Sequence, residues 1–248
     1  MSGQRSSILG KLKGLPAVLA RELLLWIEWL LRDWPGESGY RIRWLYYRCR
    51  FKHLGRKVLI SPGVRFVGHR CISIGAGSHI DIECMISAGP AALARHEVRR
   101  IANSSFQGCE GEVRIGEAVH IAPRCLIIGH GGVQIGDCSG CTSGTAILSL
   151  TNHYASFGDR SRRDLLFTTR AEPRSYIVGP VVLGRNVGVA LNCVVLPGTT
   201  LSDESFLAIG SVARGTIPPN SIAAGNPAVR VRDRFAAPSS CPGQDEQP

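Results

Sequence analysis

Residues 183–212 read LGRNVGVALNCVVLPGTTLSDESFLAIGSV and carry an aliphatic side chain at every sixth position. The fourth residue after each aliphatic position is small or β-branched. A period of six is neither the 3.6 of an α-helix nor the 2 of an isolated amphipathic strand. The two series are Leu183, Val189, Val195, Leu201 and Leu207, and Val187, Cys193, Thr199, Ser205 and Ser211.

The same two series occur in two segments upstream, and a slip of two residues separates these segments. A weaker copy covers residues 58–88. Repetition at a fixed period indicates a solenoid. The aliphatic positions are Ile115, Ile121 and Ile127, then Ile135, Cys141 and Ile147, and in the weaker copy Ile74, Ile80 and Ile86. The small positions are Val119, Cys125 and Gly131, then Ser139, Thr145 and Thr151, and in the weaker copy Ser78 and Cys84.

A six-residue unit accommodates one short strand and one turn, with the aliphatic side chain inside and the small one at a corner. Three units close a triangular coil of about 18 residues, and stacked coils bury a continuous aliphatic column. Strands of a β-sandwich recur every 8–12 residues or so, which disfavours that alternative. We therefore predict an all-β chain with a parallel β-helix over residues 58–232, a helical extension over 1–57 and a flexible tail over 233–248.

Two excursions interrupt the repeat, at residues 89–112 and 154–180. Long insertions in a compact domain are usually functional or disordered, and on a solenoid they project from one face. Their cationic residues favour an anionic or phosphorylated partner. These residues are Arg95, His96, Arg99 and Arg100 in the first excursion, and Arg160, Arg162, Arg163 and Arg170 in the second.

The composition narrows the class of partner. The formal charge is +10, which attracts anions, but no nucleic-acid-binding motif accompanies it. The nine cysteines are odd in number and scattered, and Cys138 and Cys141 have no second pair at zinc-ribbon spacing. We expect the thiols to be small buried side chains in a reduced, cytoplasmic protein.

The N-terminal region contains a dense apolar stretch interrupted by charges. It predicts an amphipathic helix over residues 17–33 that Pro35 and Gly36 terminate. The stretch is too short and too charged to span a bilayer. Two alternatives stay open: packing against the protein or a neighbouring subunit, and contact with the inner membrane face.

His153 is the candidate base, because it ends a regular coil just where the second excursion begins. A neutral imidazole suits removal of a proton near neutral pH. Among the other histidines, we expect His79 and His120 to be outward-facing surface groups, and His130 is a weaker candidate for contact with an acceptor.

Three motifs resemble a known family. Thr151–His153 reads TNH at the break in the repeat, and the chain returns at Ile177–Gly179. Val187–Gly198 resembles the motif VWIGANVVILPG. The C-terminal end resembles the family's AIGAGSVV and IPPNSIVAGNPAK segments at Ala208–Val212, Ile217–Ser221 and Ala224–Ala228. The region over 58–232 thus resembles the left-handed β-helix acyltransferases with hexapeptide repeats, in particular the sugar and polysaccharide O-acetyltransferases.

The resemblance implies acetyl-CoA or another acyl-CoA as donor, direct transfer to a sugar hydroxyl, no metal, and a homotrimer with sites between subunits. It implies that His153 is the base and that Asn152 or a backbone N–H stabilises the oxyanion. It also implies a coenzyme A site, formed by Ala190, Ala208, Arg214 and Arg230.

The sequence departs from the family pattern at three positions. Gly188 replaces a tryptophan, and Val229 replaces a lysine, although Arg230 follows it. Arg214 replaces a second lysine and keeps its positive charge. An N-acyltransferase for an amino sugar and a non-catalytic β-helix scaffold stay open as alternatives. A zinc-dependent carbonic anhydrase on the same scaffold is disfavoured, because the histidines show no tight cluster at coil spacing along the sequence.

Overall fold

The structure, a computed structural model, describes residues 19–20, 22–159, 161 and 173–236. Several predicted features lie outside these residues: part of the N-terminal extension, the arginines at 160, 162, 163 and 170, and the tail from residue 237 onward.

Three parallel sheets form the three sides of a solenoid, and the chain visits them in turn through seven coils. The seven-stranded side consists of β1 (His53–Leu54), β4 (Ile72–Ile74), β8 (Val113–Ile115), β11 (Val133–Ile135), β16 (Val181–Leu183), β19 (Thr200–Leu201) and β22 (Thr216–Ile217). The eight-stranded side consists of β2 (Leu59–Ile60), β5 (His79–Ile80), β9 (His120–Ile121), β12 (Gly140–Cys141), β17 (Gly188–Val189), β20 (Phe206–Leu207), β23 (Ser221–Gly225) and the antiparallel β24 (Ala228–Asp233). The six-stranded side consists of β3 (Arg65–Val67), β6 (Met85–Ser87), β10 (Leu126–Ile128), β13 (Ala146–Leu148), β18 (Val194–Val195) and β21 (Val212–Ala213).

The predicted aliphatic series becomes three columns inside the solenoid. Each inward residue pairs in register with its counterpart one coil away, as Ile121 does with Ile80 and Cys141. The column residues are buried. The columns are Leu54, Ile74, Ile115, Ile135, Leu183, Leu201 and Ile217; Ile60, Ile80, Ile121, Cys141, Val189, Leu207 and Ala223; and Phe66, Ile86, Ile127, Ile147, Val195 and Ala213. The predicted parallel β-helix is confirmed.

Predicted small residues lie at the corners, where they connect neighbouring coils. Thr151 is an exception, because it lies on a strand outside the three sheets of the solenoid. The hydroxyl of Ser139 donates to the carbonyl of Gly184 at 2.9 Å and accepts the N–H of Val187 at 2.9 Å. A small polar side chain at a corner therefore satisfies backbone groups that the short strands leave unpaired.

Cysteines take the same corner positions. Cys125 and Cys193 direct their thiols at backbone carbonyls of the next coil, at 3.2 and 3.0 Å. Burial raises the pKa of the inward-facing Cys141 to about 12. The cysteines of the described residues are free thiols. Four of them are buried as expected, namely Cys84, Cys125, Cys141 and Cys193, whereas Cys71 is half-buried and Cys49, Cys109 and Cys138 are exposed, contrary to the expectation.

Two helices precede the solenoid: α1 (residues 22–32) and α2 (Gly36–Arg48). The buried Arg43 joins them to the first coil, because its guanidinium donates to the carbonyls of Ile60, Trp34 and Leu31 at 2.7, 2.6 and 3.2 Å. A short 3-10 helix spans His69–Cys71. Neither helix is long and apolar enough to cross a membrane, within the residues that the structure describes.

The first coil begins at His53, five residues before the predicted domain start at residue 58. The difference has a simple cause, since Leu54 already fills the first position of an inward column. At the other end, β24 extends to Asp233, the first residue of the predicted tail.

Candidate functional site

The two excursions meet in a small sheet outside the solenoid. It contains β7 (Glu97–Arg100), β14 (Leu150–Asn152) and β15 (Ser175–Val178). Strand β15 lies between the other two, antiparallel to β14 and parallel to β7. Two interruptions that are far apart in sequence therefore form one structure.

His153 follows β14 directly and is held by its backbone and its ring. Its N–H donates to the carbonyl of Ser175 at 2.8 Å, and its Nδ1 lies 2.8 Å from the carbonyl oxygen of Ala155. The N–H of Ala155 also lies 3.2 Å from Nδ1, a contact in which Nδ1 would have to accept. The shorter contact with the carbonyl oxygen, which can only accept, favours the tautomer with the proton on Nδ1. The Nε2 lone pair is then available to take a proton.

Two aromatic rings flank the imidazole of the half-buried His153. The centroids of Tyr154 and Phe157 each lie 4.5 Å from it, and the guanidinium of Arg99 lies 4.4 Å from the Phe157 ring. Tyr154 is exposed, so this side of the site faces outward.

The Glu97 carboxylate organises the loop that follows His153. It accepts hydrogen bonds from the hydroxyls of Ser175 and Ser156, each at 2.7 Å, and from the N–H of Phe157 at 2.6 Å. The hydrogen bonds from Ser175 and Ser156 lower the pKa of Glu97 to about 2. The carboxylate is therefore charged at neutral pH, and it connects the first excursion to the loop of the second.

Asn103 connects the first excursion to the solenoid by hydrogen bonds. Its side-chain amide donates to the carbonyl of Pro180 at 3.1 Å and to the hydroxyl of Thr200 at 2.9 Å. A cleft of about 350 Å³ lies between this segment and β15, and its lining includes Arg100, Phe106 and Val178.

The residues predicted around His153 are spread over the surface. Asn152 is exposed at the end of β14, where its backbone pairs with Tyr176. Arg214 is exposed and follows β21, two strands along the sheet from β13, where the second excursion departs. At one strand spacing per step, this separation is roughly 10 Å.

The remaining predicted cofactor residues lie elsewhere. Ala190 and Ala208 follow β17 and β20, at a different corner of the solenoid from the one at which the second excursion leaves. Arg230 lies on β24 and forms an ion pair with Asp233 at 2.6 Å. The structure does not bring these residues together with His153 within one chain.

The side chain of His130 forms hydrogen bonds at the point where the first excursion leaves the solenoid. Its Nδ1 lies 2.7 Å from the carbonyl oxygen of Gly89, and its Nε2 lies 3.1 Å from the hydroxyl of Ser87. Both ring nitrogens are thus engaged with the residues from which the excursion departs.

His79 and His120 face outward on the eight-stranded side, as expected, but they are not separate surface groups. They occupy facing positions of β5 and β9, and their rings stack with centroids 5.3 Å apart. Burial lowers the pKa of His79. The expectation that the histidines form no tight cluster therefore does not hold, because the first excursion lengthens the coil that separates them in sequence.

Gly188 lies at the position of the tryptophan in the motif VWIG, and the side chain of Phe206 fills the space next to it. A Cβ atom at position 188 would lie 2.5 Å from Cδ2 of Phe206, one coil further on. An aromatic ring from the neighbouring strand, β20, therefore lies against Gly188.

Sequence reasoning did not identify Glu97, Ser156 and Ser175, whose hydrogen bonds hold the loop that follows His153. Nothing in the local sequence distinguishes Glu97 from a solvated carboxylate. The available signal is its position inside an interruption of the repeat.

No protein-family model matches the chain. The chain is 28% identical over 184 residues to the dTDP-4-amino-4,6-dideoxy-D-glucose acyltransferase of Escherichia coli. This alignment covers 74% of this chain and 83% of that enzyme. The chain is 39% identical over 54 residues to the galactoside O-acetyltransferase of Escherichia coli K12, or 22% of this chain and 27% of that enzyme. A structure of AntD, an N-acyltransferase from Bacillus cereus in complex with dTDP and coenzyme A, aligns with a TM-score of 0.58 and 19% identity over 83% of this chain and 92% of that one.

Proposed function

We propose that this chain, a hexapeptide-repeat acyltransferase, transfers an acyl group from acyl-CoA to a hydroxyl of a sugar or polysaccharide precursor, with His153 as general base. One observation carries the proposal: Nδ1 of His153 lies 2.8 Å from the Ala155 carbonyl oxygen, which favours the tautomer with the lone pair on Nε2. Sequence similarity to sugar acyltransferases supports the donor and the class of acceptor.

The reaction proceeds by direct transfer. Nε2 of His153 takes the proton of the acceptor hydroxyl while its oxygen attacks the thioester carbonyl. The resulting oxyanion accepts a hydrogen bond from Asn152 or from a backbone N–H. When the intermediate collapses, the carbon–sulfur bond breaks and the imidazolium returns the proton to the departing thiolate. The Nδ1–H bond to Ala155 keeps the ring oriented during both proton transfers.

The donor site is proposed from four residues. The exposed Arg214 and Arg230 pair with phosphates of coenzyme A, and Arg230 exchanges its bond to Asp233 to do so. Ala190 and Ala208 let the pantetheine arm approach the backbone closely. Because these alanines and His153 lie at different corners of one chain, a site shared between subunits of a homotrimer unites them more readily than a monomer does.

An N-acyltransferase is the second candidate, and a specific observation favours it. The relative with the longer alignment and AntD are both named as acting on nitrogen or on an amino sugar nucleotide. A histidine base serves both reactions, since an ammonium group must also lose a proton before attack.

The N-terminal helix supports a further proposal, peripheral contact with the membrane. Glu28 of α1 faces the protein, where its carboxylate pairs with His69 at 3.2 Å. In contrast, Trp26 and Trp29 are 62% and 54% exposed. An amphipathic helix with exposed tryptophans and a cationic protein suits an anionic lipid surface.

Mass spectrometry of products tests the function. The chain is incubated with acetyl-CoA and longer acyl-CoAs against matched pairs of sugars and sugar nucleotides that differ by hydroxyl or amine at one carbon. We expect acylation of a hydroxyl, recognised as an ester that mild alkali cleaves. An alkali-stable amide identifies the N-acyltransferase instead, and release of coenzyme A with no acylated product from any acceptor contradicts both.

A further inference from the structure

Three potential metal ligands lie side by side on the outward surface of the eight-stranded sheet. His79 and His120 face each other across β5 and β9, and their ring planes are within 18° of parallel. Asp81 lies two residues after His79, on the same face of the sheet. The inward Ile80 and Ile121 fix this arrangement, because both are fully buried in the column.

The donor atoms are close to a coordination geometry. Nε2 of His120 lies 3.6 Å from Oδ2 of Asp81. One nitrogen of each histidine and one oxygen of Asp81 all lie within 4.8 Å of one another. Two ligands about 2.0–2.1 Å from a tetrahedral zinc ion stand roughly 3.3 Å apart, so small side-chain rotations suffice to bring all three into contact with one ion.

Ser61 forms a hydrogen bond to His79 of the type that orients histidines bound to metal ions. Its side chain is buried, and its hydroxyl lies 3.0 Å from Nε2 of His79. The hydroxyl of Tyr40 lies 3.5 Å from that of Ser61. A hydrogen bond to one ring nitrogen fixes the ring orientation and leaves the other nitrogen as donor atom.

We propose that His79, Asp81 and His120 form a binding site for a divalent transition-metal ion of the zinc type. Two imidazoles and one carboxylate match the preferences of zinc and its first-row neighbours, whereas calcium and magnesium take oxygen ligands almost exclusively. Three protein ligands leave at least one position of the ion open to water or to a further ligand. The site is distinct from that of His153. The chain segment that carries His153 leaves the solenoid after a strand of the six-stranded sheet, whereas the metal ligands lie on the eight-stranded sheet.

The rival interpretation is a surface ion pair between His120 and Asp81. The His120 side chain is 56% exposed and that of Asp81 is 24% exposed, which are ordinary values for such a pair. An ion pair between these two residues alone does not account for the stacking of His79 on His120 or for the bond of His79 to Ser61. It also predicts that no metal binds.

Calorimetric titration of the untagged, chelator-stripped full-length chain with Zn²⁺ decides between them. The variants are His120→Gln and Asp81→Asn, and His53→Gln is the control, since His53 is an exposed histidine on β1. Thermal melting verifies that each variant folds. Because thiols also bind zinc, the Co²⁺ spectrum of the wild type is recorded to distinguish nitrogen and oxygen ligands from sulfur.

We expect about one equivalent of Zn²⁺ per chain, a nitrogen–oxygen Co²⁺ spectrum, and an affinity that falls about tenfold or more in both site variants but not in His53→Gln. The proposal is overturned if the stripped wild type binds no Zn²⁺, if binding is equal in all four proteins, or if the Co²⁺ spectrum is that of thiolate ligation. None of these readouts depends on acyl transfer.

Discussion

Oε2 of Glu97 accepts a hydrogen bond from the hydroxyl of Ser175 at 2.7 Å, although 78 residues separate the two in sequence. The same carboxylate accepts bonds from Ser156 and Phe157, in the loop that begins at His153. The geometry of the proposed base therefore depends on a side chain from the other excursion.

The change Glu97→Gln tests this dependence. An uncharged amide oxygen accepts fewer and weaker bonds, and hydrogen bonds to a charged group contribute about 1.5–3 kcal/mol each. We expect acyl transfer to fall about tenfold or more. The melting temperature of the solenoid should change little, because the loop lies outside the core and opens locally before the solenoid unfolds. Steady-state kinetics measure the effect. Glu110→Gln, which removes the exposed partner of Arg100 in the same excursion, is the control; equal activity of both variants argues against the role of Glu97.

Acid stability provides a second test, centred on the buried Glu112. Burial alone would raise its pKa, but hydrogen bonds from Arg114 and Lys52 hold it down at about 2. A carboxyl whose pKa is lowered on folding stabilises the protein above its ordinary pKa of 4.5, and this contribution is lost as the pH falls towards 2. Thermal melting of wild type and Glu112→Gln is compared between neutral and acidic pH. The gap in melting temperature should narrow below about pH 4.5, while the exposed Glu117→Gln should show no such trend.

The aliphatic columns predict a large difference between two positions on one sheet. Ile121 is fully buried in the middle of a column, and Leu59 faces outward and is 45% exposed. We expect Ile121→Ala to lower the free energy of unfolding by about 2–5 kcal/mol and Leu59→Ala to change it by about 0.5 kcal/mol or less. Denaturant unfolding measures both, and similar values for the two would contradict the assignment of inward and outward faces.

Membrane contact through α1 predicts a lipid-dependent effect of its exposed tryptophans. Replacing both Trp26 and Trp29 by serine should weaken sedimentation with vesicles that contain an anionic lipid, because two large apolar side chains no longer enter the interface. Phe235→Ser is the matched control, since Phe235 is 64% exposed but lies at the other end of the chain. If the wild type does not sediment with anionic vesicles, the helix contacts protein instead.

The solenoid could be predicted in detail because its period is local. Leu183 and its successors at every sixth position lie in the columns where the repeat predicts them. The first coil was less evident, because Leu54 and Phe66 are separated from the clear repeats and Phe66 is not aliphatic.

The site was only partly predictable, for a physical reason. His153 is recognisable because it ends a coil, whereas its contact with Glu97 crosses two insertions that have no period. Likewise, the pairing of His79 with His120 depends on where the first excursion returns to the solenoid, which the linear spacing of 41 residues conceals. Which side chains meet outside the repeat is decided by tertiary contacts such as that of Asn103 with Thr200.

The kinetics of His153→Gln, with an acceptor identified by product mass spectrometry, test the central claim most directly. His53→Gln serves as the folded control, and binding of coenzyme A is measured in parallel. The account predicts that kcat falls about 10²–10⁴-fold in His153→Gln while coenzyme A affinity and melting temperature stay near those of the wild type, because general-base catalysis contributes an effect of that size. An unchanged kcat in a folded His153→Gln protein would contradict it.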